Sequence, residues 1–204
     1  MSKPLEFWFD FTSPYSYLAA EKIDELAALH GRRVDWHPIL LGAIFQKTGA
    51  LPLVDIPLKG DYSQRDFARS ARFLGLPFSM PTQFPLPTQV AARAFYWIDD
   101  THPEMAHNVA HSFARAIFRA LFVDNRNISD TAVVLDVASQ FGINADDLSQ
   151  AIVTPEIKER LKQETEVAMK KKVFGAPFIF VGDEPFWGAD RLSQIEQWLV
   201  TGGF

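Results

Sequence analysis

Ser13 is the residue from which chemistry can start, because it stands before Pro14 at the point where an aromatic strand pattern gives way to a helical one. Serine is a good helix N-cap, and proline at the first helical position forgoes only an N–H that would lack a partner there. Such an end leaves unpaired backbone N–H groups and a partial positive charge that favours a bound anion or thiolate. On its own the pattern reads first as a plain cap, because Ser-Pro helix starts are common. The chain has no cysteine, so any thiol chemistry must arrive with a ligand. A second feature is Gly175-Ala176-Pro177, and a third is Trp187-Gly188-Ala189-Asp190. In the third, turn backbone can hold a carboxylate and the Asp190 side chain an ammonium group, although Asp190 is also placed to cap a helix running from Arg191 to Val200.

The elements that must position these residues can be read from periodicity. Phe7 to Phe11 is a continuous aromatic-rich run suited to a buried strand, and Leu18, Ala19, Ile23, Leu26 and Ala27 follow at helical spacing up to Gly31. Val34 to Leu40 reads as a second strand, so the chain opens β-α-β with a parallel crossover. From Gly42 to about Leu58 the signals are mixed, with a helical turn at Ala43 to Thr48 followed by Gly49, Pro52 and Pro57. A helix is expected over Ser63 to Leu74, and prolines 77, 81, 85 and 87 impose an extended loop after it. Helical patterning resumes over Thr88 to Asp99, Pro103 to Val123, Ser129 to Phe141 and Asp146 to Ile152, with Ser129 and Asn144 or Ala145 near the last two starts. Thr154-Pro155 then opens a helix that runs to Lys172, Pro177 to Val181 forms a strand, and Glu184 to Trp187 is its partner after a Gly182-Asp183 turn.

This order predicts an α/β fold with a thioredoxin-like core and a large all-helical insertion. The core takes residues 1–41 (β-α-β) and 154–204 (α-β-β-α), and residues 42–153 form the insertion. In such a core the first helix start and the loop before the third strand face one ligand site, which makes a cis Ala176-Pro177 bond the expectation. The Ala176 N–H and C=O would then be open to pair with an extended, peptide-like ligand.

Composition narrows the function further. With 48% hydrophobic residues, 18 Phe and 5 Trp among 204 residues, the chain can build a substantial core. A net charge of −5 with scattered Lys and Arg excludes the basic stripe of a nucleic-acid binder. No apolar run reaches the roughly 20 residues of a membrane span, and MSKPLEFWFDF is charged too early for a signal peptide, so a soluble cytoplasmic protein is expected. His107 and His111 are four apart with no third ligand in sight, so no metal site is expected.

The strings FDFTSPYSYL, PLKGDY (Pro57 to Tyr62), FGAPFIFVGDE and FWGADRL together resemble 2-hydroxychromene-2-carboxylate isomerases and kappa-class glutathione transferases, across nearly the whole chain. The scaffold also resembles disulfide oxidoreductases, which carry Cys-x-x-Cys where this chain has Ser13-Pro14-Tyr15-Ser16. The resemblance implies glutathione as the source of the thiol, Ser13 as the residue that bonds or activates it, and a cysteinyl backbone paired with Ala176 beside Pro177. It places the γ-glutamyl end over Trp187, Gly188, Ala189 and Asp190. It also assigns Lys59 to the glycyl carboxylate or the substrate, Phe45 to the substrate wall, a small chromene-type aromatic as substrate, and a homodimer as the assembly. Ala50, Pro87 and Ala189 depart from the polar residues that relatives carry there. The expected activity is a glutathione-dependent isomerisation in aromatic catabolism; a kappa-like transferase or peroxidase and a non-catalytic binding module are the alternatives.

Overall fold

Strand β1 (Leu5–Phe9) explains its own composition, since it is covered on both faces. Leu5, Phe7 and Phe9 join the larger core cluster with Val34, Trp36, Ile179 and Val181, whereas Trp8 points the other way, into a smaller cluster with Ile44, Ala168, Phe178 and Phe180. Alternation across a strand with two covered faces makes the run apolar except at Glu6, which is only partly buried and pairs with Lys171. β2 (Val34–Pro38) lies parallel to β1 with Trp36 opposite Phe7, and β3 (Phe178–Val181) lies antiparallel on the other side with Ile179 opposite Phe7. β4 (Glu184–Trp187) completes a mixed sheet in the order β2-β1-β3-β4.

The computed structural model describes residues 3–101 and 106–204. Helices α1 (Pro14–Ala20) and α2 (Ile23–Leu29) connect β1 to β2. Then come α3 (Leu41–Thr48), α4 (Lys59–Phe73), α5 (Gln89–Thr101), α6 (Ala106–Phe122), α7 (Thr131–Ser139) and α8 (Ala145–Ala151). α9 (Pro155–Lys170) leads to β3, and α10 (Leu192–Thr201) ends the fold. This is a thioredoxin-like core carrying a helical insertion between β2 and α9. The insertion has no separate core: Phe95 and Phe118 reach Phe9 with ring centroids 6.0 and 5.6 Å away, and Phe11 lies 5.0 Å from Phe118. Each buried Phe contributes about 2 to 3 kcal/mol, so sheet and insertion stabilise one another.

Several boundaries differ from the sequence reading. The single helix expected after Ser13 is two, because Lys22 N–H bonds Ala19 O in a tightened turn at 3.0 Å before a new run begins with Leu26 N–H on Lys22 O. α4 starts at Lys59, a full turn before Ser63, because Gly60 packs directly on backbone: a Cβ there would lie 2.4 Å from Val54 O. Asp130, not Ser129, caps α7 by accepting from Ala132 N–H. Asp190 does not cap the last helix. It lies inside a 3₁₀ turn (Ala189–Arg191), and Arg191 occupies the N-cap position of α10 with no side-chain bond. The start expected at Pro103 falls outside the described residues; His107 belongs to α6, and its side chain is likewise not described. His111 bonds Asp24 at 3.0 Å and stacks on Trp36.

Candidate active site

The chain between β1 and α1 is fixed by Asp10, a carboxylate only 2% exposed inside an aromatic neighbourhood. One of its oxygens accepts from Thr12 N–H and the Thr88 hydroxyl, both at 2.9 Å, and the other accepts from Leu41 N–H at 2.7 Å. Burial pushes the Asp10 carboxyl up, and those three donors oppose the rise. The start of α3, the start of α5 and the loop entering α1 are thereby tied to one group. Thr12 adds a further tie, its hydroxyl accepting from Leu86 N–H at 3.2 Å. Sequence reasoning passed over Asp10, although a lone charge at the end of an aromatic strand was the signal that could have found it.

Ser13, 6% exposed, follows in extended conformation (φ −92°, ψ 114°) with its N–H on Asp10 O at 2.9 Å. Its Oγ accepts from Ser16 N–H at 3.1 Å, as an N-cap should. The same Oγ lies 3.0 Å from Ala176 O, and since a carbonyl only accepts, the Ser13 hydroxyl is the donor. The Ala176-Pro177 bond is cis. Thus Ser13 and Ala176, 163 residues apart, share one hydrogen bond.

Pro177 O accepts from Gly188 N–H at 3.0 Å, which brings the Trp187 to Asp190 turn against the same loop. Trp187 is 53% exposed, with Phe174 edge-on to its ring at 4.9 Å. Gly175 is needed there, because a Cβ would stand 2.7 Å from Trp187 Nε1. Gly188, at φ +112°, adopts a backbone that side chains disfavour, with the Asp190 carboxylate folded over it. Ala189 is buried beneath. Asp190 is bonded by Arg191 at 3.0 Å, and its side chain is 72% exposed.

On the α4 side, the Tyr15 hydroxyl donates to Asp66 at 2.5 Å. Asp66 also pairs with Arg69, which in turn donates to the Tyr62 hydroxyl at 2.9 Å. Burial is the main force pushing the Tyr15 phenol up, followed by Asp66 and, more weakly, Tyr62 and Asp190. Asp190 therefore lies within electrostatic reach of α1. Phe45 and Ala176 each pack against the small core cluster. Lys59 is exposed, seven residues before Asp66 on α4 and so about 10 Å along that helix from the Tyr15 contact. Among the described residues Lys59 has no ionic partner. The structure thus joins Ser13, Ala176, Pro177, Gly188 and Asp190, and leaves Lys59 at the margin.

A cleft of about 410 Å³ between α6 and α7 is lined by Arg115, Arg119 and Arg126. Each arginine is held by a carboxylate, Asp24, Glu21 or Asp136, so among the described residues the cleft offers no free cation, and it lies toward the far end of α1 from Ser13.

The profile of the DSBA-like thioredoxin domain matches residues 4–200. The chain belongs to that family. It is similar to the 2-hydroxychromene-2-carboxylate isomerase of Pseudomonas putida, at 27% identity over 94% of this chain and 92% of that one. It is also similar to glutathione S-transferase kappa 1 of Homo sapiens, at 24% identity over 98% and 94%. A solved structure of 2-hydroxychromene-2-carboxylate isomerase superposes with a TM-score of 0.86 at 27% identity, covering 96% of this chain and 94% of that one.

Proposed function

We propose that this chain is a glutathione-dependent isomerase acting on a 2-hydroxychromene-2-carboxylate-like substrate. The observation that carries the proposal is the Ser13 hydroxyl held against the Ala176 carbonyl beside cis Pro177, in a chain that has no cysteine. A site of this shape has a hydroxyl where a redox relative has a sulfur, so the sulfur must be borrowed. The named isomerase relatives support the reaction class. Glutathione supplies the thiolate that adds to the conjugated substrate and leaves after bond rotation.

The residues present fit that co-substrate. Ala176 offers backbone groups for a cysteinyl unit, and its partly exposed position allows an extended chain to lie across it. Trp187 gives an exposed aromatic wall, and the open Asp190 carboxylate suits an ammonium group. Ser13 donates toward the sulfur and favours its anionic form. Lys59 is the cation for a carboxylate of glutathione or substrate, and Phe45, packed against the small core cluster, belongs to the substrate wall. Cytoplasmic homodimers complete the proposal.

A kappa-like transferase or peroxidase is the second reading, supported by the human kappa relative. Incubation with 2-hydroxychromene-2-carboxylate, with and without glutathione, separates the readings by mass spectrometry. The isomerase reading expects a product of unchanged mass formed only when glutathione is present, with glutathione recovered intact. A stable conjugate or oxidised glutathione assigns the chain to the second reading, and glutathione binding with no turnover of any electrophile leaves a binding module.

A further inference from the structure

Ser13 Oγ is already engaged twice, accepting from Ser16 N–H at 3.1 Å and donating its one proton to Ala176 O at 3.0 Å. No other donor among the described residues reaches Ala176 O. In this arrangement the hydroxyl has only a lone pair left for an incoming sulfur. A lone pair stabilises S–H, the neutral thiol, and so acts against ionisation. To stabilise a thiolate, the Ser13 hydroxyl has to turn away from Ala176 O. The ligand then covers that carbonyl, which loses its donor and its access to water together, an unfavourable exchange unless the ligand brings a donor of its own.

Resting on the glutathione reading above, we infer that Ser13 is a two-position switch controlled by the ligand's backbone. An amide N–H on the carbon next to the thiol-bearing carbon takes over Ala176 O, the Ser13 hydroxyl turns to the sulfur, and the thiol proton passes to solvent. The site thereby ionises cysteinyl thiols that carry an amide N–H and leaves other thiols neutral. Ala176 O is the specificity-determining group, and it acts through Ser13. The sign of the Ser13 effect depends on which way its proton points: acidifying with the N–H in place, neutral or opposing without it.

The test uses the full chain with two probes, glutathione and glutathione methylated on its cysteinyl nitrogen. The pKa of each bound thiol is read from the ultraviolet absorbance of its thiolate during a pH titration, in the parent and in Ser13→Ala. Bound glutathione is expected to be more acidic than free glutathione by about one unit, tenfold in thiolate fraction. The methylated probe is expected to show no such acidification, and Ser13→Ala is expected to abolish the difference between the two. Equal acidification of both probes in the parent overturns the switch while leaving the glutathione reading intact. Failure of glutathione to bind removes the reading itself. A second measurement needs no analogue: the carbon-13 shift of the Ala176 carbonyl should differ between parent and Ser13→Ala without ligand and coincide once glutathione is bound. A difference that persists in the complex means that Ser13 never leaves Ala176, and the switch falls.

Discussion

The carboxylate of Asp10 and the hydroxyl of Thr88, separated by 78 positions in the chain, meet at 2.9 Å inside the protein. Their bond pins the first turn of α5 to the loop that carries Ser13, so the insertion and the candidate site are mechanically one unit. Because the Thr88 donor lowers a carboxyl that burial raises, it stabilises the charged form of Asp10. Thr88→Val should therefore raise that pKa further. Linkage makes the cost of the substitution small where Asp10 is protonated and full where it is ionised. Chemical unfolding should show a loss of about 2 kcal/mol on the alkaline side of the Asp10 transition and less on the acid side. A loss independent of pH would mean that Asp10 does not titrate in the folded protein.

Ser13→Ala removes both the helix cap and the donor to Ala176 O. Turnover should fall by about two orders of magnitude, as for other lost donors aimed at developing charge, while glutathione affinity measured by calorimetry changes little. Unchanged turnover at neutral pH would reduce Ser13 to a helix cap.

The position of Asp190 sharpens the test of the γ-glutamyl anchor. Since its carboxylate caps no helix and is 72% exposed, Asp190→Asn should leave the melting temperature where it is. Glutathione should bind about tenfold more weakly, because one charge-assisted contact to the ammonium is lost. Equal affinity would move the anchor elsewhere.

Acid stability should trace to Asp24. Burial alone would push its carboxyl up, but bonds and charge from His111, with further bonds from Arg115 and Trp36, hold it below the usual carboxylate range. A depressed carboxylate contributes stability that is present above its unfolded pKa of about 3.8 and is lost as pH falls through the lower folded value. Asp24→Asn should cost about 2 kcal/mol near neutral pH, discounted because the side chain is 33% exposed. Its unfolding free energy should also fall less between pH 5 and pH 2, about the window where carboxylates titrate. A parallel pH profile for parent and variant would assign the acid sensitivity to other carboxylates.

Local chemistry along the chain determined a good deal. The aromatic-rich run from Phe7 to Phe11 announces a buried strand, which the structure places at Leu5–Phe9, Ser13-Pro14 and Thr154-Pro155 announce helix starts, and a Gly after an apolar strand announces the turn into β4. These are properties of a few neighbouring residues, governed by backbone dihedrals and by which face must be dry. The thioredoxin-like order of elements follows from them, and so does the presence of Ser13, Ala176, Pro177 and Asp190 at one end of the sheet. Tertiary structure alone decided what each group bonds to. Asp190 reads as a cap in sequence because Asp before a helical run usually is one, yet the φ of +112° at Gly188 turns the chain into a 3₁₀ turn and leaves the carboxylate exposed, bonded by Arg191 and capping no helix. Asp10 reads as a blemish in a strand until Thr88 and Leu41 arrive from elsewhere in the chain to satisfy it. The direction of the Ser13 proton is set by a carbonyl 163 residues away, a distance over which no local pattern carries information, because hydrogen bonds are chosen by proximity in space.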